Sequence, residues 1–217
     1  STKCLSGREG ISDSQMIKIA KIVKSNSHVD YVARVVDRLD AATPPAPEDY
    51  GFAQFVSVPL DEESEVVGVI YNTLLANPDY GNFGPRLSSH AELAVLSPDY
   101  LNEQGVLVGV LLLGWRVRSG ARFEAHQRVP RRVVPVGQDV FRLSDEALLE
   151  FHRAPEGGGV RLHYYSQVVA HAGPFAVPLI EAVIEQLETA CTREERQRLC
   201  VLKSSLVWQR TLGGARL

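Results

Sequence analysis

The first half of the chain is built from short apolar stretches in which hydrophobic and polar positions alternate. One such stretch covers residues 17–24, and a second, rich in valine, covers residues 31–39. A period of two is that of a β-strand, because successive side chains point to opposite faces of a sheet. Asn26 and Ser27 between the two stretches favour a turn. The pattern therefore predicts a β-hairpin at the start of the fold.

Four further stretches continue this pattern and are separated by turn-forming residues. They cover residues 52–58, 65–75, 91–96 and 105–117. The run at 106–113 is almost continuously apolar, which predicts a strand buried on both faces. Gly68, inside the fourth strand, indicates a bulge or a close backbone approach. Six short strands without an intervening helix predict a small closed β-barrel.

Helical patterns appear only in the second half of the chain. Ser144 is a good N-cap for a helix over residues 145–153, and apolar residues spaced by three and four predict an amphipathic helix over 174–191. Thr192 and Glu195 have the spacing of a capping box that starts another helix. Residues 162–170 fit either a strand or a helix. These signals predict a pair of antiparallel helices at the end of the fold.

The predicted fold class is therefore α+β, a six-stranded β-barrel followed by helices. The barrel is expected over residues 16–118 and a mainly helical domain over residues 119–217. Residues 1–15 are polar and without period, and they precede the only methionine, Met16. We expect them to be disordered, or to be a remnant upstream of the native start.

Composition narrows the function classes. The chain has 23 basic and 26 acidic residues and a formal net charge of -3, which argues against coating nucleic acid or an anionic membrane with the whole surface. Three cysteines without a C-x-x-C pair argue against structural zinc and favour a reducing, cytoplasmic location. The longest apolar run has about ten residues, half of what a membrane-spanning helix needs.

Motifs of known chemistry are absent from the sequence. It contains no G-x-x-x-x-G-K-[ST] phosphate loop, no G-x-G-x-x-G, no H-E-x-x-H and no G-x-S-x-G. The six histidines are scattered and lack metal-ligand spacing. We assign no catalytic residue, metal ligand or cofactor from the sequence. The alternative that the protein is an enzyme with a site not visible in motifs stays open. Such a site would be expected near His163 and Tyr164.

One segment of the sequence is unusually rich in arginine. Residues 116–132 contain six arginines and only one acidic residue, Glu124. The arginines are Arg116, Arg118, Arg122, Arg128, Arg131 and Arg132. Arginine forks match phosphate groups, so the cluster could form a contact strip for nucleic acid. It could equally form a solvated strand edge or salt bridges to acidic helices.

The last predicted helix carries a second candidate. Its apolar stripe comprises Leu199, Leu202 and Leu206, with Trp208 close to its end. The stripe could pack inside the protein, against a second copy, or against another protein as a partner-binding surface.

Residues 28–115 resemble a known barrel family. The resemblance rests on the strand pair around Val35 and Val36, on V-V-G-V-I-Y at residues 66–71, on Asn77 with Pro78, and on G-V-L-V-G-V at residues 105–110. It is to the HerA and ATP-synthase (HAS) barrel, which precedes the motor domain in HerA-type DNA translocases and rotary ATPase subunits. That family implies a six-stranded barrel that helps to hold rings of subunits together and engages partners, including a NurA-type nuclease. The phosphate loop is missing, so no ATPase residue of the motor carries over.

Three functions are compatible with these observations. The first is a non-catalytic accessory or scaffold barrel in a DNA-processing assembly with a HerA-like translocase or nuclease, which requires a protein partner or self-association. The second is direct binding of nucleic acid through the arginines between Arg116 and Arg132. The third is an enzyme with a site near His163. None of the three requires a membrane.

Overall fold

A computed structural model describes residues 16–38, 40–76, 105–120, 122–154, 158–189 and 191–213. Nine strands are present in this part of the chain: β1 (Lys18–Ser25), β2 (Asp30–Val35), β3 (Phe55–Pro59), β4 (Ser64–Ala76), β5 (Gly105–Ser119), β6 (Arg122–His126), β7 (Asp139–Arg142), β8 (Arg153–Ala154) and β9 (Gly158–Val160). The helices are α1 (Asp145–His152), α2 (Tyr165–His171), α3 (Ala176–Glu188) and α4 (Arg193–Gly213). The predicted 1–15 leader lies outside the described residues.

Six strands close into an antiparallel barrel, as the alternating pattern predicts. The ring runs β5, β2, β1, β7, β3, β4 and returns to β5, because β2 pairs with one half of β5 and β4 pairs along its whole length. The other half of β5 continues past the ring and pairs with β6. Closure leaves the ring strands without free edges.

The strand that completes the barrel differs from the one the sequence indicates. It is β7, which lies between β1 and β3, whereas the predicted strand at residues 91–96 falls outside the described residues. The barrel therefore extends past residue 118, where the sequence pattern placed its end. The reason is that β7 has only four residues, too few to display an alternating pattern.

Strand β5 is buried on both faces, as its apolar run predicts. Every residue from 108 to 114 is buried. One face of the strand lines the barrel and the other lies beneath the helices. The predicted irregularity at Gly68 is confirmed by a register shift between β4 and β5. A Cβ added at Gly68 would lie 2.8 Å from Cγ1 of Val110, closer than side chains approach one another.

The predicted helix starts are confirmed by their capping bonds. The Ser144 hydroxyl accepts a hydrogen bond of 3.2 Å from the backbone N–H of Ala147. At the start of α4, Glu195 accepts from the backbone N–H of Thr192 at 2.8 Å, and Thr192 Oγ1 accepts from that of Glu195 at 3.3 Å. These are the two reciprocal bonds of a capping box. The ambiguous stretch before α3 forms the helix α2.

Helices and barrel share one hydrophobic core. Phe55 of β3 makes an edge-to-face contact with the ring of His152 at the end of α1. Two glutamine amides on the helices donate to carbonyls of the barrel: Gln186 to that of Ala53, just before β3, at 3.1 Å, and Gln167 to that of Leu112 in β5. Because buried carbonyls need donors, these bonds fix how the helices sit on the barrel.

Candidate functional site

The six clustered arginines do not form one continuous strip. In the register of β5 and β6, Arg118 lies opposite Phe123 and Ser119 lies opposite Arg122. Successive residues of a strand alternate between faces, so Arg116 and Arg118 share one face with Phe123 while Arg122 lies on the other. The remaining three arginines lie beyond β6. The cluster is divided among three surfaces, a division that the one-dimensional sequence conceals.

Arg116 is a structural residue and not an exposed phosphate contact. Its side chain is only 7% exposed, and its Nε donates to Oε1 of Glu65 on the neighbouring strand at 2.7 Å, while its Nη2 donates to the same oxygen. Its guanidinium also lies over the ring of Phe123, 4.6 Å from the ring centre. Of the alternatives for the arginine cluster, a salt bridge is the one that describes Arg116. Its acidic partner, Glu65, lies on a strand and not on a helix as expected.

Arg132 is also engaged by the protein itself. Its Nη1 donates to Asp61 at 2.5 Å and to the Ser64 hydroxyl at 2.8 Å, both near the turn between β3 and β4. The hydrogen bond from the Ser64 hydroxyl, followed by that from Arg132, holds the pKa of Asp61 below its usual range. Arg132 thus fastens the segment that carries it to the barrel.

That segment, residues 127–138, joins β6 to β7 and crosses the end of the barrel where the first two hairpins turn. We call it the capping segment. The carbonyl of Pro130 lies 2.6 Å from Nε2 of His28, and the N–H of Val134 donates to the Tyr31 hydroxyl at 3.3 Å. Val134 is buried in the core, and the Gln138 amide donates to the carbonyl of Pro59 at 2.8 Å. The segment lacks regular secondary structure but is held at several points.

The outward side of the capping segment combines apolar and basic side chains. Val129 is 49%, Val133 65% and Val136 72% exposed. Arg128 and Arg131 are exposed among them, and neither has an acidic partner within the part of the chain that the structure describes. Apolar side chains that are exposed together and flanked by polar ones mark interaction sites, and binding residues are often on loops held by a rigid scaffold. The outward side of the capping segment is the candidate site.

A family match covers nearly the whole chain. A family described as a domain of unknown function (DUF8166) matches residues 5–216. The chain belongs to the DUF8166 family. No curated protein matches it.

In this DUF8166 member, Tyr164, one of the two residues named for a possible enzyme site, forms a structural pair with His152 and not with His163. His152 is fully buried, and its Nδ1–H donates to the carbonyl of Leu148 at 2.7 Å. Its Nε2 accepts from the hydroxyl of Tyr164, which is also buried, at 2.6 Å. Burial lowers the pKa of His152 to about 4, because the imidazolium cannot be solvated there. His163 is exposed and is held through its backbone N–H by Gln127.

We expect His152 to make the stability of the protein depend on pH. An unfolded histidine has a pKa of about 6.5, so between pH 6.5 and 4 the unfolded chain binds a proton that the folded chain does not. The contribution of His152 to the free energy of unfolding therefore falls as the pH falls, by about 2 kcal/mol from pH 7 to pH 5. Urea unfolding at the two pH values measures the change in this free energy. His152→Gln should remove this contribution and the exposed control His163→Gln should retain it; equal slopes in the two variants would contradict the assignment.

The first half of the apolar stripe on the last helix packs inside the protein. Leu199 is buried and Leu202 packs partly buried against the core. Lys203 of the same helix lies 3.3 Å from Glu185 of α3. Internal packing therefore explains this half of the stripe. The side chains of Leu206 and Trp208 fall outside what the structure describes, so their partner-binding role stays a prediction.

Two further observations concern metal ions and membranes. Within the described residues, no group of three or more histidine, cysteine, aspartate or glutamate side chains could hold a metal ion. Over the same part of the chain, no helix is both long and apolar enough to cross a membrane.

The sequence indicates the arginines of the capping segment as candidates but gives no sign that its valines are exposed. In the stretch R-V-P-R-R-V-V-P-V, the valines read as strand-forming residues interrupted by prolines. Which valine is buried depends on the path of the loop: Val134 enters the core while its neighbour Val133 is exposed. A run that mixes arginine, valine and proline without a period is a signal that could have indicated an anchored, partly exposed loop.

Proposed function

We propose that the protein is a non-catalytic binding module whose barrel presents the capping segment to a protein partner. The observation that carries this proposal is the exposure of three valines beside two unpaired arginines on a loop that the barrel holds in place. Such a surface favours a partner that offers apolar side chains together with acidic ones, because burial of the valines and pairing of the arginines then occur in one contact.

The resemblance to the HerA and ATP-synthase barrel suggests where such a module works. Barrels of that type hold subunits together in ring assemblies and engage accessory proteins. We propose a cytoplasmic accessory or scaffold role in an assembly with a HerA-like DNA translocase or its nuclease. The partner surface is then the outward side of the capping segment, and the barrel serves as its rigid support.

A second function is direct binding of nucleic acid. It is supported by Arg122, Arg128 and Arg131, which are exposed and have no acidic partner among the described residues. Against it, the rings of Trp115 and His126 stack on each other, with 4.9 Å between their centres, and the guanidinium groups of Arg116 and Arg118 both lie over the ring of Phe123. These aromatic rings are engaged within the protein, whereas single-strand binding uses rings that are free to stack on bases. We therefore rank the protein partner first.

The proposal predicts that a double substitution on the capping segment abolishes partner capture. Tagged full-length protein is used to isolate associated proteins from native extract, before and after nuclease treatment, and their amounts are measured by mass spectrometry. Arg131→Glu with Val133→Ser should reduce the specific partner at least about tenfold, because both the charge pairing and the apolar contact are lost.

The matched control carries the same two types of change elsewhere. Arg122→Glu with Val169→Ser alters an arginine on β6 and an exposed valine on α2, and it should capture as much partner as the unaltered protein. If capture disappears on nuclease treatment, or falls equally in both double variants, the contact runs through nucleic acid and the protein-partner proposal fails. If capture is unchanged in the capping-segment variant, that segment is not the binding surface.

A further inference from the structure

Strand β6 is the open edge of the sheet. Each of the six ring strands pairs on both sides, whereas β6 pairs with β5 on one side and, within the described residues, with no strand on the other. The helix α1 lies over one face of this part of the sheet, where the Ala147 carbonyl is 3.5 Å from Nη1 of Arg116. Side chains stand perpendicular to a sheet, so a helix that meets Arg116 in this way leaves the edge itself open.

The backbone groups at this open edge belong to Phe123 and Ala125. Arg118, which lies opposite Phe123, donates its backbone N–H to the Glu63 carbonyl on the other side of β5, at 2.7 Å. In an antiparallel pair, opposed residues that do not bond to each other both direct their N–H and C=O away from the pair. The N–H and C=O of Phe123 therefore point out from the sheet, and so do those of Ala125, two positions along. In the described part of the chain, no backbone group outside β5 bonds to β6.

The usual features that keep an edge strand from pairing are missing from β6. It contains no proline and no lysine, and its register with β5 has no bulge. Its two exposed charges, Arg122 and Glu124, are of opposite sign, so they do not repel every approaching strand as charges of one sign would. A strand of five residues offers only a small contact, which suits weak, concentration-dependent association.

Arg122 and Glu124 are both available to a partner strand. They are two positions apart and therefore share one face of the sheet. Arg122 is exposed and has no acidic partner in the described part of the chain. Glu124 lies 3.5 Å from Nε2 of His126, but its side chain is still 60% exposed. An identical strand that runs in the opposite direction offers each of the two its counter-charge.

Charge selects one register for two antiparallel copies of β6. The outward backbone groups allow a two-fold axis at Phe123, at Glu124 or at Ala125. An axis at Glu124 would set the two Glu124 side chains against each other. An axis at Ala125 would set Arg122 against Arg128 of the other copy. Both arrangements bring like charges together, whereas an axis at Phe123 sets Arg122 against Glu124 of the other copy, twice.

We propose that β6 pairs edge to edge with β6 of a second copy of this chain, antiparallel and with Phe123 opposite Phe123. Two contacts between Arg122 and Glu124 then form, one on each side of the axis, in the pairs whose side chains approach most closely. The pairing ends at His126, which lies opposite Gly120 in the turn of the other copy. The capping segment begins beyond His126, so this contact and the proposed partner surface use different residues, and each can fail without the other.

Sedimentation equilibrium of the purified full chain, from about 10 μM to about 1 mM at low ionic strength, measures the association. The unaltered protein should follow a monomer–dimer equilibrium. Arg122→Glu and Glu124→Arg should each raise the dimer dissociation constant at least about tenfold, because each change replaces two opposite-charge contacts with two like-charge contacts. Arg131→Glu changes the net charge as Arg122→Glu does but lies outside the strand, so it should dimerise as the unaltered protein does.

A mixture of the two single variants tests the register. The Arg122→Glu chain offers two glutamates and the Glu124→Arg chain offers two arginines, so the mixture should form a heterodimer although neither variant pairs with itself. The double variant, Arg122→Glu with Glu124→Arg, should dimerise again for the same reason. Circular dichroism verifies that each variant is folded, and because both side chains are exposed, their substitution should leave the fold intact.

Three results would overturn the proposal. The first is a monomer throughout the concentration range. The second is a dimer that neither Arg122→Glu nor Glu124→Arg weakens, or that Arg131→Glu weakens equally, since the two copies would then meet through another surface. The third is a mixture of the two single variants that stays monomeric, because the register with Phe123 at the axis requires the heterodimer.

Discussion

Arg116→Met is expected to lower the free energy of unfolding by about 3–5 kcal/mol, the cost of breaking a buried ion pair from one side. Methionine approximates the length of the arginine stem but removes the charge, so the Glu65 carboxylate loses its counter-ion in a site that is 9% exposed. The contact between the guanidinium and Phe123 is lost as well. Urea unfolding followed by circular dichroism measures the change.

Arg118→Met is the matched control, because Arg118 lies two positions along the same strand, on the same face, and over the same aromatic ring. It is exposed and its guanidinium pairs with no acid in the described part of the chain, so we expect a loss within about 0.5 kcal/mol. Comparable losses in the two variants would contradict a stabilising role for the ion pair, since the ring contact alone would then explain both.

Gly114→Ala is expected to be the most damaging small substitution, with a loss of about 3 kcal/mol. A Cβ at this position would lie 2.0 Å from the carbonyl oxygen of His126, which belongs to the backbone of the paired strand β6. A backbone atom cannot rotate away as a side chain can, so β5 and β6 would have to separate. Thermal and urea unfolding of the purified variant measure the loss.

Gly105→Ala, at the start of the same strand, provides the comparison. The nearest atom to its added Cβ is Cγ of Arg34, at the ordinary contact distance of 3.8 Å. We expect a change of less than about 1 kcal/mol there. Because β6 leads directly into the capping segment, Gly114→Ala should also weaken partner capture. A Gly114→Ala variant as stable as Gly105→Ala would mean that β5 and β6 leave room for a side chain at Gly114.

The sequence predicts the barrel and helices well because their signals are local. Alternation over five or more residues marks the longer strands, and the Thr192–Glu195 capping box marks the start of α4 within four residues. The strand β7 escapes prediction because its four residues become a strand only when β1 and β3 are present on either side. Tertiary pairing, not local preference, determines its structure.

The candidate site is predicted only in part, for a related reason. Composition identifies the arginine cluster, but the separation of the arginines onto different surfaces follows from strand register and from ion pairs with residues distant in the chain. Glu65 is 51 positions from Arg116, and Asp61 is 71 positions from Arg132. No pattern within a short window contains that information. The exposed valines of the capping segment likewise become visible only once the path of the loop is known.

Photo-crosslinking from the capping segment tests the central claim most directly. A photo-reactive amino acid is placed at Val133, which is 65% exposed, and separately at Val169 on α2, which is 43% exposed. Irradiation in cells should give a discrete covalent adduct to one protein from position 133 and none from position 169. No adduct from position 133, or the same adducts from both positions, would contradict the proposal that the capping segment is the partner-binding surface.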